Sequence, residues 1–386
     1  MDFRLTEEQE AFRKAVARFV DSEVAPVADR LDEAGEFPRA LFRKLGEQGY
    51  LALRYPEAYG GADADMTTYC LFAEEVARGS MSVAAIAAMQ GLMGTYFIYK
   101  YGSEALRERY LVPALRGETV ATFALTEPNA GSDIGSMATF AERVDGGWRL
   151  KGAKTWVTNA PVADVLTVCA KTSKERGMKP IALFLVDRQA PGVSLGKKID
   201  KLGVRASATG EILLDDVFVP DGHLLGGETG GVEKIGGILS EIRVMTGALS
   251  VGLARAAYDA ALRYSKERVA FGKPIGEHQA IAFKLADMLT QLHAATLCVY
   301  HAAWALDHGL PVTREAAMTK LVASEAANRI CDEASRVFAS YSFAREYPIE
   351  RYFRDARFLL WGGGTSEILR VIIGRDLDRP PTLGSA

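Results

Sequence analysis

Side chains that can bind a ligand are concentrated in two short segments of the 386-residue chain. The segment ALTEPNAGSDIGS, residues 124–136, carries hydroxyl, amide and carboxylate groups among residues that favour turns, and GAKTWVTNA, residues 152–160, places a tryptophan two positions before a threonine. Pro, Asn, Gly and Asp all form turns, so the first segment alone is about as compatible with a turn between strands as with a binding loop. The choice between the two depends on the rest of the sequence.

The sequence lacks the common motifs for nicotinamide, nucleotide and serine-hydrolase chemistry. No GxGxxG opens a βαβ unit, and neither GxxxxGK[ST] nor GxSxG occurs. The five histidines are scattered, and His293 and His301 have neither an HxxxH partner nor a carboxylate one turn away, which argues against a metal site. We infer that the chemistry of this protein depends on a bound organic cofactor.

Five ordered segments together resemble the acyl-CoA dehydrogenase family, and the resemblance extends over nearly the whole chain. Residues 124–136 resemble the first signature of the family, and residues 152–160 its flavin-facing strand. The segment RVAFGKPIGEHQ, residues 268–279, is similar to the cross-subunit cofactor segment; EYPIERYFRDAR (346–357) and GTSEI (364–368) complete the set. The resemblance implies an α+β acyl-CoA dehydrogenase fold, with an N-terminal helical domain, a β-barrel-like middle domain and a C-terminal four-helix domain.

The resemblance also implies FAD as the cofactor and a homotetramer as the assembly. Hydroxyl and backbone groups beside an aromatic ring suit a flat isoalloxazine slot, and the fork of donors on an arginine suits a pyrophosphate. The positions that match cofactor contacts of the family are Leu125, Thr126, Ser132, Trp156, Thr158, Arg268, Phe271, Gln279, Thr365 and Glu367. The positions that match substrate contacts are Ser132, Arg243 and Gly363.

The position of the usual catalytic base departs from the family pattern. Most members have a glutamate immediately before the GT[ST] triplet, where it removes the α-proton of the thioester, but this chain has Gly363. Branched-chain-type relatives carry their glutamate on the long helix before an arginine, and that position is Ile242. The nearest carboxylate is Glu241, whose side chain an α-helix directs about 100° away from that of Ile242. Glu241 is the predicted base, and a π-bulge or a shifted helix start would correct its direction.

A second departure lies where the family has QxxGGxG beside the FAD pyrophosphate. This chain has Arg336, Ala339, Ser340 and Ser342 there. Small side chains still allow a close approach of the backbone, and the charge of Arg336 is a candidate compensation.

Three functions are compatible with these departures. The first is an FAD-dependent oxidoreductase that dehydrogenates an acyl thioester carried on CoA or on an acyl- or peptidyl-carrier protein, with electron-transfer flavoprotein as a possible acceptor. The second is a flavin reaction without net dehydrogenation, such as desulfination or hydroxylation. The third is a flavin-binding subunit without catalysis. Carrier-protein flavoenzymes that oxidise prolyl groups also lack the glutamate before GT[ST], and acyl-CoA desulfinases likewise have glycine there.

The elements that position these segments fall into three blocks. Helical periodicity dominates residues 1–117, with Thr6 as a predicted N-cap before an acidic first turn. Short β-branched segments separated by turns predict a compact antiparallel sheet or barrel within 118–230. Two long apolar-faced helices then predict a helical bundle over 231–386.

Composition indicates a soluble protein with no nucleic-acid partner. Net charge is −3 and the pI is near 6.1, whereas phosphate neutralisation needs a basic surface. The charged, amphipathic N-terminus is unlike a signal peptide or a membrane span. Four separated cysteines without a CxxC pair favour buried reduced thiols and a cytoplasmic location.

Overall fold

A computed structural model describes residues 4–378, apart from the side chain of Val232. It has helices at both ends of the chain and strands between them, so the predicted α+β class and its order of domains are confirmed. The exact domain boundaries given above stay a prediction. The N-terminal helices are α1 (Glu7–Phe19), α2 (Ala28–Ala34), α3 (Arg39–Glu47), α4 (Met66–Gly79), α5 (Met81–Ala88), α6 (Tyr96–Tyr101), α7 (Glu104–Leu106) and α8 (Val112–Leu115).

The first helix begins as its sequence predicts. The Thr6 hydroxyl accepts a hydrogen bond from the Gln9 backbone N–H, and the Gln9 side chain accepts one from the Thr6 N–H, which together form a capping box. Three glutamates in the first turn add favourable charge near the positive end of the helix dipole.

The middle of the chain forms one eight-stranded sheet. Its strands are β1 (Ala121–Ala124), β2 (Phe140–Val144), β3 (Gly147–Thr158), β4 (Val165–Lys171), β5 (Ile181–Asp187), β6 (Val193–Lys198), β7 (Thr209–Pro220) and β8 (Leu224–Leu225). The order is β6-β7-β3-β2-β4-β5-β8, with β1 beside β4. The prediction of a purely antiparallel sheet is wrong, because β4 runs parallel to β1 and touches β2 in parallel. Between β1 and β4 the chain forms the loop of residues 125–139 and the β2–β3 hairpin. This long connection lets β4 pair with β1 in the same direction, which a tight hairpin turn would not allow.

The C-terminal part is built on three long helices. They are α9 (Gly231–Glu267), α10 (Gln279–Asp307) and α11 (Thr313–Phe338); the short strands β9 (Val269–Ala270) and β10 (Lys273–Pro274) form a hairpin between α9 and α10, and α12 (Ile349–Phe358) and α13 (Ser366–Gly374) follow. Helix α9 packs against α4, α10 and α11. The Asp307 carboxylate accepts hydrogen bonds from the backbone N–H groups of Met66 and Thr67, at 2.6 and 3.0 Å, so the end of α10 caps the start of α4.

Two helical stretches, Met81–Tyr101 and Glu233–Glu267, have the length and apolar composition of a membrane span. Their apolar windows are 89% and 78% buried inside the protein, as expected of core helices. Three cysteines are buried and Cys298 is half-buried, so the expectation of four buried thiols is wrong for Cys298.

Candidate active site

A buried ion pair fixes the loop between β1 and β2 to strand β3. The Lys154 ammonium lies 2.7 Å from a Glu127 carboxylate oxygen and donates to the Leu125 carbonyl at 3.1 Å. The same carboxylate accepts hydrogen bonds from the backbone N–H groups of Ala138 and Thr139 at 2.6 and 3.0 Å. Burial by itself would raise the pKa of Glu127, but the Lys154 charge and these hydrogen bonds hold that pKa below its ordinary value.

This pair was not predicted, although both residues lie in the two segments that carry the resemblance. Glu127 lies among residues that favour turns, and Lys154 lies in a predicted strand whose polar and apolar residues alternate in the usual way, so neither residue stands out in the sequence. The sequence did contain a signal for this ion pair, because one segment carries a carboxylate, the other carries an ammonium group, and the two segments must lie side by side to bind one cofactor. The pair gives the loop of residues 125–139 a single position beside β3, although that loop has no ladder partner of its own.

A β-bulge turns Trp156 out of strand β3. The register between β3 and β7 shifts between Lys154 and Val157, and Trp156 has a positive φ of 56°. A non-glycine residue in this region of φ is uncommon and marks a constrained position. The indole is 60% exposed, which leaves a large aromatic face uncovered beside the loop.

Three hydroxyls in the loop after β1 and at the end of β3 have no hydrogen-bond partner within residues 4–378: those of Thr126, Ser132 and Thr158. The Thr126 carbonyl accepts a hydrogen bond from the Thr155 N–H at 3.0 Å, so the loop and the end of β3 lie in contact. An uncovered indole face next to free hydroxyls suits a flat heteroaromatic ring with polar edges. The residues predicted for the isoalloxazine of FAD therefore fit that group.

The hairpin of β9 and β10 presents a second set of predicted cofactor residues. Phe271 and Gly272 form its turn with φ values of 52° and 83°, and the Phe271 ring is 96% exposed. The Arg268 guanidinium lies over the Tyr341 ring at 5.8 Å and has no carboxylate partner in the described chain. Gln279 is the exposed first residue of α10. No hydrogen bond or ring contact joins this hairpin to the loop of Thr126 within residues 4–378.

The predicted adenosine contacts begin the last helix. The Thr365 hydroxyl accepts a hydrogen bond from the Ile368 N–H at 3.1 Å and thus caps α13. Glu367 in the first turn is exposed and lies 3.9 Å from Arg370. Arg336 is the residue whose charge could compensate for the missing QxxGGxG motif beside the FAD pyrophosphate. Its side chain is exposed and pairs with Asp332 at 2.9 Å.

Gly363 and Ile242, the two alternative base positions, face each other. A Cβ built on Gly363 would lie 3.7 Å from Ile242 Cγ2 and 2.9 Å from the Thr246 hydroxyl. Gly363 has a φ of 72°, a conformation that glycine adopts without strain. The region where other family members hold their base is therefore lined by the Gly363 Hα, the buried Ile242 side chain and the Thr246 hydroxyl. We call these three residues the wall without a base. The Thr246 hydroxyl donates a hydrogen bond to the Ile242 carbonyl at 2.7 Å.

Glu241 does not compensate for this absence by a change in helix geometry. Helix α9 is α-helical throughout Gly231–Glu267, without a π-bulge that would redirect the Glu241 side chain. One Glu241 carboxylate oxygen lies 2.7 Å from the Arg54 guanidinium. The ion pair holds the Glu241 carboxylate towards Arg54, in the segment after α3. A carboxylate that is paired with an arginine is a weaker proton acceptor, so this contact argues against Glu241 as the base. The assignment stays a prediction, tested below.

Arg243 and Lys320 bring two cations to the same region. Arg243 is 7% exposed, and burial lowers the pKa of its guanidinium. The Lys320 ammonium donates to the Gly364 carbonyl at 2.7 Å. Burial, with a contribution from the Arg243 charge, lowers the pKa of Lys320 to about 8. Sequence analysis included Arg243 among the substrate contacts but missed Lys320, which appears in the sequence as an ordinary helical lysine.

The order of helices, sheet and helices, with an exposed aromatic ring beside hydroxyls, is compatible with a flavin-dependent dehydrogenase, and the comparisons with known proteins identify that class. The family models for the N-terminal, middle and C-terminal domains of acyl-CoA dehydrogenase match residues 6–118, 122–217 and 229–377. The chain belongs to the acyl-CoA dehydrogenase family. It is an FAD-dependent oxidoreductase that dehydrogenates acyl thioesters at a CH–CH bond, which is the first of the three functions considered above.

Individual relatives cover nearly the full length. The chain is 52% identical to benzylmalonyl-CoA dehydrogenase of Aromatoleum aromaticum over 378 residues, which are 98% of this chain and all of the relative. The structure of butyryl-CoA dehydrogenase from Megasphaera elsdenii is similar with a TM-score of 0.95 at 37% identity, covering 98% and 100% of the two chains. The FAD complex of PigA is similar with a TM-score of 0.95 at 28% identity, covering 98% and 99%.

Proposed function

We propose that this protein oxidises an arylmethyl-substituted malonyl-CoA, an acyl thioester that carries a carboxylate on its α-carbon and hydrogens on its β-carbon, and releases that carboxylate as CO₂. The observation that carries the proposal is that Gly363 and Ile242, the two base positions of the family, face each other and hold no proton acceptor. The 52% identity to benzylmalonyl-CoA dehydrogenase supports a substituent with an aromatic ring.

Loss of the carboxylate removes the need for a base. When bound, FAD supplies the two-electron acceptor for the β-hydrogen, which leaves as a hydride. The electron pair of the bond between the α-carbon and the carboxylate becomes the new carbon–carbon π bond, and the carboxylate departs as neutral CO₂. No proton leaves the α-carbon, so the products are CO₂ and an α,β-unsaturated thioester.

The residues at the two base positions cannot take a proton from the α-carbon. Ile242 is buried and Gly363 presents only a hydrogen, so neither offers a proton acceptor. The Glu127–Lys154 pair, together with the hydrogen bond from the Thr155 N–H to the Thr126 carbonyl, ties the loop that carries Thr126 and Ser132 to β3, where these residues and Trp156 would hold the flat cofactor.

The substrate proposal predicts a difference between two thioesters that differ only in the carboxylate. Under anaerobic conditions, benzylmalonyl-CoA is expected to bleach the flavin and release one CO₂ for each cofactor reduced. 3-Phenylpropanoyl-CoA is expected to react at least about 10²-fold more slowly, because its α-proton has no base and a general base contributes about 10²–10⁴-fold. Flavin absorbance in a stopped-flow instrument and trapped CO₂ measure both. Equal bleaching by 3-phenylpropanoyl-CoA would overturn the proposal.

The alternative is α,β-dehydrogenation with Glu241 as the base, and replacement of Glu241 by glutamine separates the two. The base assignment predicts a loss of about 10²–10⁴-fold in the rate of flavin reduction. The decarboxylating reaction predicts a change of less than about tenfold, since the Arg54 pair would lose charge without losing a reacting group. Glu142→Gln, which alters an exposed acidic residue on β2, is the matched control. A loss above 10²-fold confined to Glu241→Gln would favour the alternative.

We also propose a homotetramer in which the β9–β10 hairpin reaches the cofactor of a neighbouring subunit. Support comes from Arg268 and Phe271, which are uncovered on the single chain and unconnected to the slot at Trp156. Three further points belong to this proposal. The flavin passes its electrons to electron-transfer flavoprotein, the acyl group is carried on CoA rather than on a carrier protein, and the protein is cytoplasmic. Light scattering that found a stable, FAD-saturated monomer would contradict the assembly.

Arg268→Ala is expected to weaken FAD binding by about 10- to 150-fold, because a charge-assisted hydrogen bond to phosphate contributes about 1.5–3 kcal/mol. The FAD-to-protein ratio after gel filtration at low concentration measures the loss. Lys266→Ala removes an exposed cation two residues away and is the control. Equal retention of FAD by both variants would rule out the assigned contact.

A further inference from the structure

Arg243 differs from the other deeply buried arginines of the described chain. Arg314 and Arg351 are about as buried, and they pair with Glu315 and Asp29 at 2.9 and 2.8 Å. Arg243, at 7% exposure, has no hydrogen bond or ion pair within residues 4–378, and its Nε is completely enclosed. A buried unpaired charge is strongly unfavourable, so such a residue is retained where a ligand supplies the missing partner.

The position of Arg243 connects it to the wall without a base. It precedes Thr246 by three residues, a spacing that places the two side chains on one face of the helix. Ile242 and Thr246 are the two side chains that a Cβ on Gly363 would meet. Arg243 therefore lies next to the place where the family usually holds a carboxylate.

Lys320 adds a second positive charge to this place. It is completely buried on α11 and holds the carbonyl of Gly364, the residue after Gly363. Arg243 is among the charges that lower the pKa of Lys320, so the two cations are close enough to repel each other. The acidic groups that also act on Lys320 are Glu325 and Glu367, and both lie nearer to Arg370, at 3.7 and 3.9 Å. Neither forms an ion pair with Lys320 or Arg243 in the described residues.

We propose that Arg243, supported by the charge of Lys320, binds the carboxylate on the α-carbon of the substrate. The inference rests on the proposed function and identifies the group that selects malonyl-type thioesters. The substrate carboxylate then occupies the region in which other family members place the carboxylate of their own base. Because the negative charge disappears as CO₂ forms, this contact stabilises the bound substrate more than the transition state, and its loss raises KM more than it lowers kcat.

A pair of thioesters that cannot transfer a hydride tests the inference without catalysis. Malonyl-CoA and acetyl-CoA both lack a β-carbon bearing hydrogen, and they differ only in the α-carboxylate. Isothermal titration of the FAD-loaded protein is expected to show tighter binding of malonyl-CoA. Arg243→Gln is expected to weaken malonyl-CoA binding by about 10- to 100-fold, with a change below about threefold for acetyl-CoA. Arg243→Lys is expected to retain an intermediate preference, because it keeps the charge but loses the fork of donors.

Controls separate recognition from folding and from the proposed reaction. Arg263→Gln removes an exposed arginine on the same helix, about 30 Å further along α9, and is expected to leave both affinities unchanged. FAD content and the thermal midpoint are measured for each variant; if Arg243→Gln does not fold, Arg243→Lys and Lys320→Met provide the comparison. Equal weakening of both thioesters, or no weakening of either, would overturn the inference. A wild type that prefers malonyl-CoA yet releases no CO₂ from benzylmalonyl-CoA would instead contradict only the proposed reaction.

Discussion

Replacement of Gly363 by glutamate is expected to lower the decarboxylating oxidation of benzylmalonyl-CoA by about 10²–10³-fold. The new carboxylate would extend from a Cβ that lies 3.7 Å from Ile242 and 2.9 Å from the Thr246 hydroxyl, beside Arg243. It would compete for the guanidinium and repel the substrate carboxylate, and the juxtaposition of like charges in an enclosed site costs several kcal/mol. The steady-state rate of CO₂ release and the rate of anaerobic flavin reduction measure the loss.

Gly363→Ala is the matched control for this prediction. It introduces the same Cβ at a φ of 72°, with a backbone cost of about 1–2 kcal/mol, but no charge. The glutamate variant is expected to be at least about tenfold slower than the alanine variant, since only the former adds electrostatic repulsion. Similar losses in the two variants would show that the position demands backbone freedom alone.

The glutamate variant also tests which reaction the wild type performs. A carboxylate at this position is expected to remove the α-proton of 3-phenylpropanoyl-CoA, so that Gly363→Glu reduces its flavin with this thioester faster than the wild type does. A gain with the uncarboxylated substrate together with a loss with the carboxylated one would indicate that one position decides between deprotonation and decarboxylation. A wild type already fast with 3-phenylpropanoyl-CoA would remove the basis for that conclusion.

Lys154→Met is expected to destabilise the protein by about 3–5 kcal/mol and to release FAD. The substitution leaves the Glu127 carboxylate buried without its counter-charge, and breaking one side of a buried ion pair has a cost of this size. The loop that carries Thr126 and Ser132 would lose its fixed position beside β3. Chemical unfolding and the FAD-to-protein ratio are the measurements.

The double variant Glu127→Gln with Lys154→Met provides the sharper comparison. Removing both charges leaves no unpaired ion, so the double variant is expected to be more stable than Lys154→Met alone. In the wild type the pKa of Glu127 lies below its ordinary value of 4.5, so the contribution of its charged form is present at neutral pH and is lost as the pH falls below that value. Additive losses in the two single variants would show that the pair is not coupled.

The resemblance of five short sequence segments to the acyl-CoA dehydrogenase family was sufficient to predict the fold class, the cofactor and the absence of the usual base. Helical periodicity marks the long helices α9 and α10, and the capping box at Thr6 is encoded within four consecutive residues. The loop of residues 124–136 and the glycines before Thr365 are continuous stretches whose roles depend on residue types in a fixed order. The absence of a glutamate at 363 is visible in the sequence because that position is defined by its immediate neighbours.

Only the tertiary structure decided which charged groups are paired. Arg54 and Glu241 are 187 positions apart, and no local pattern brings them together. Their contact gives Glu241 a partner that its place on the helix does not reveal, and its assignment as a base stays a prediction. The reverse holds for Arg243, whose lack of a partner within residues 4–378 becomes apparent only when the surrounding helices are in place. Pairing and burial depend on which distant segments pack together, and the free energy of a charge inside a protein is determined by those neighbours rather than by its place in the chain.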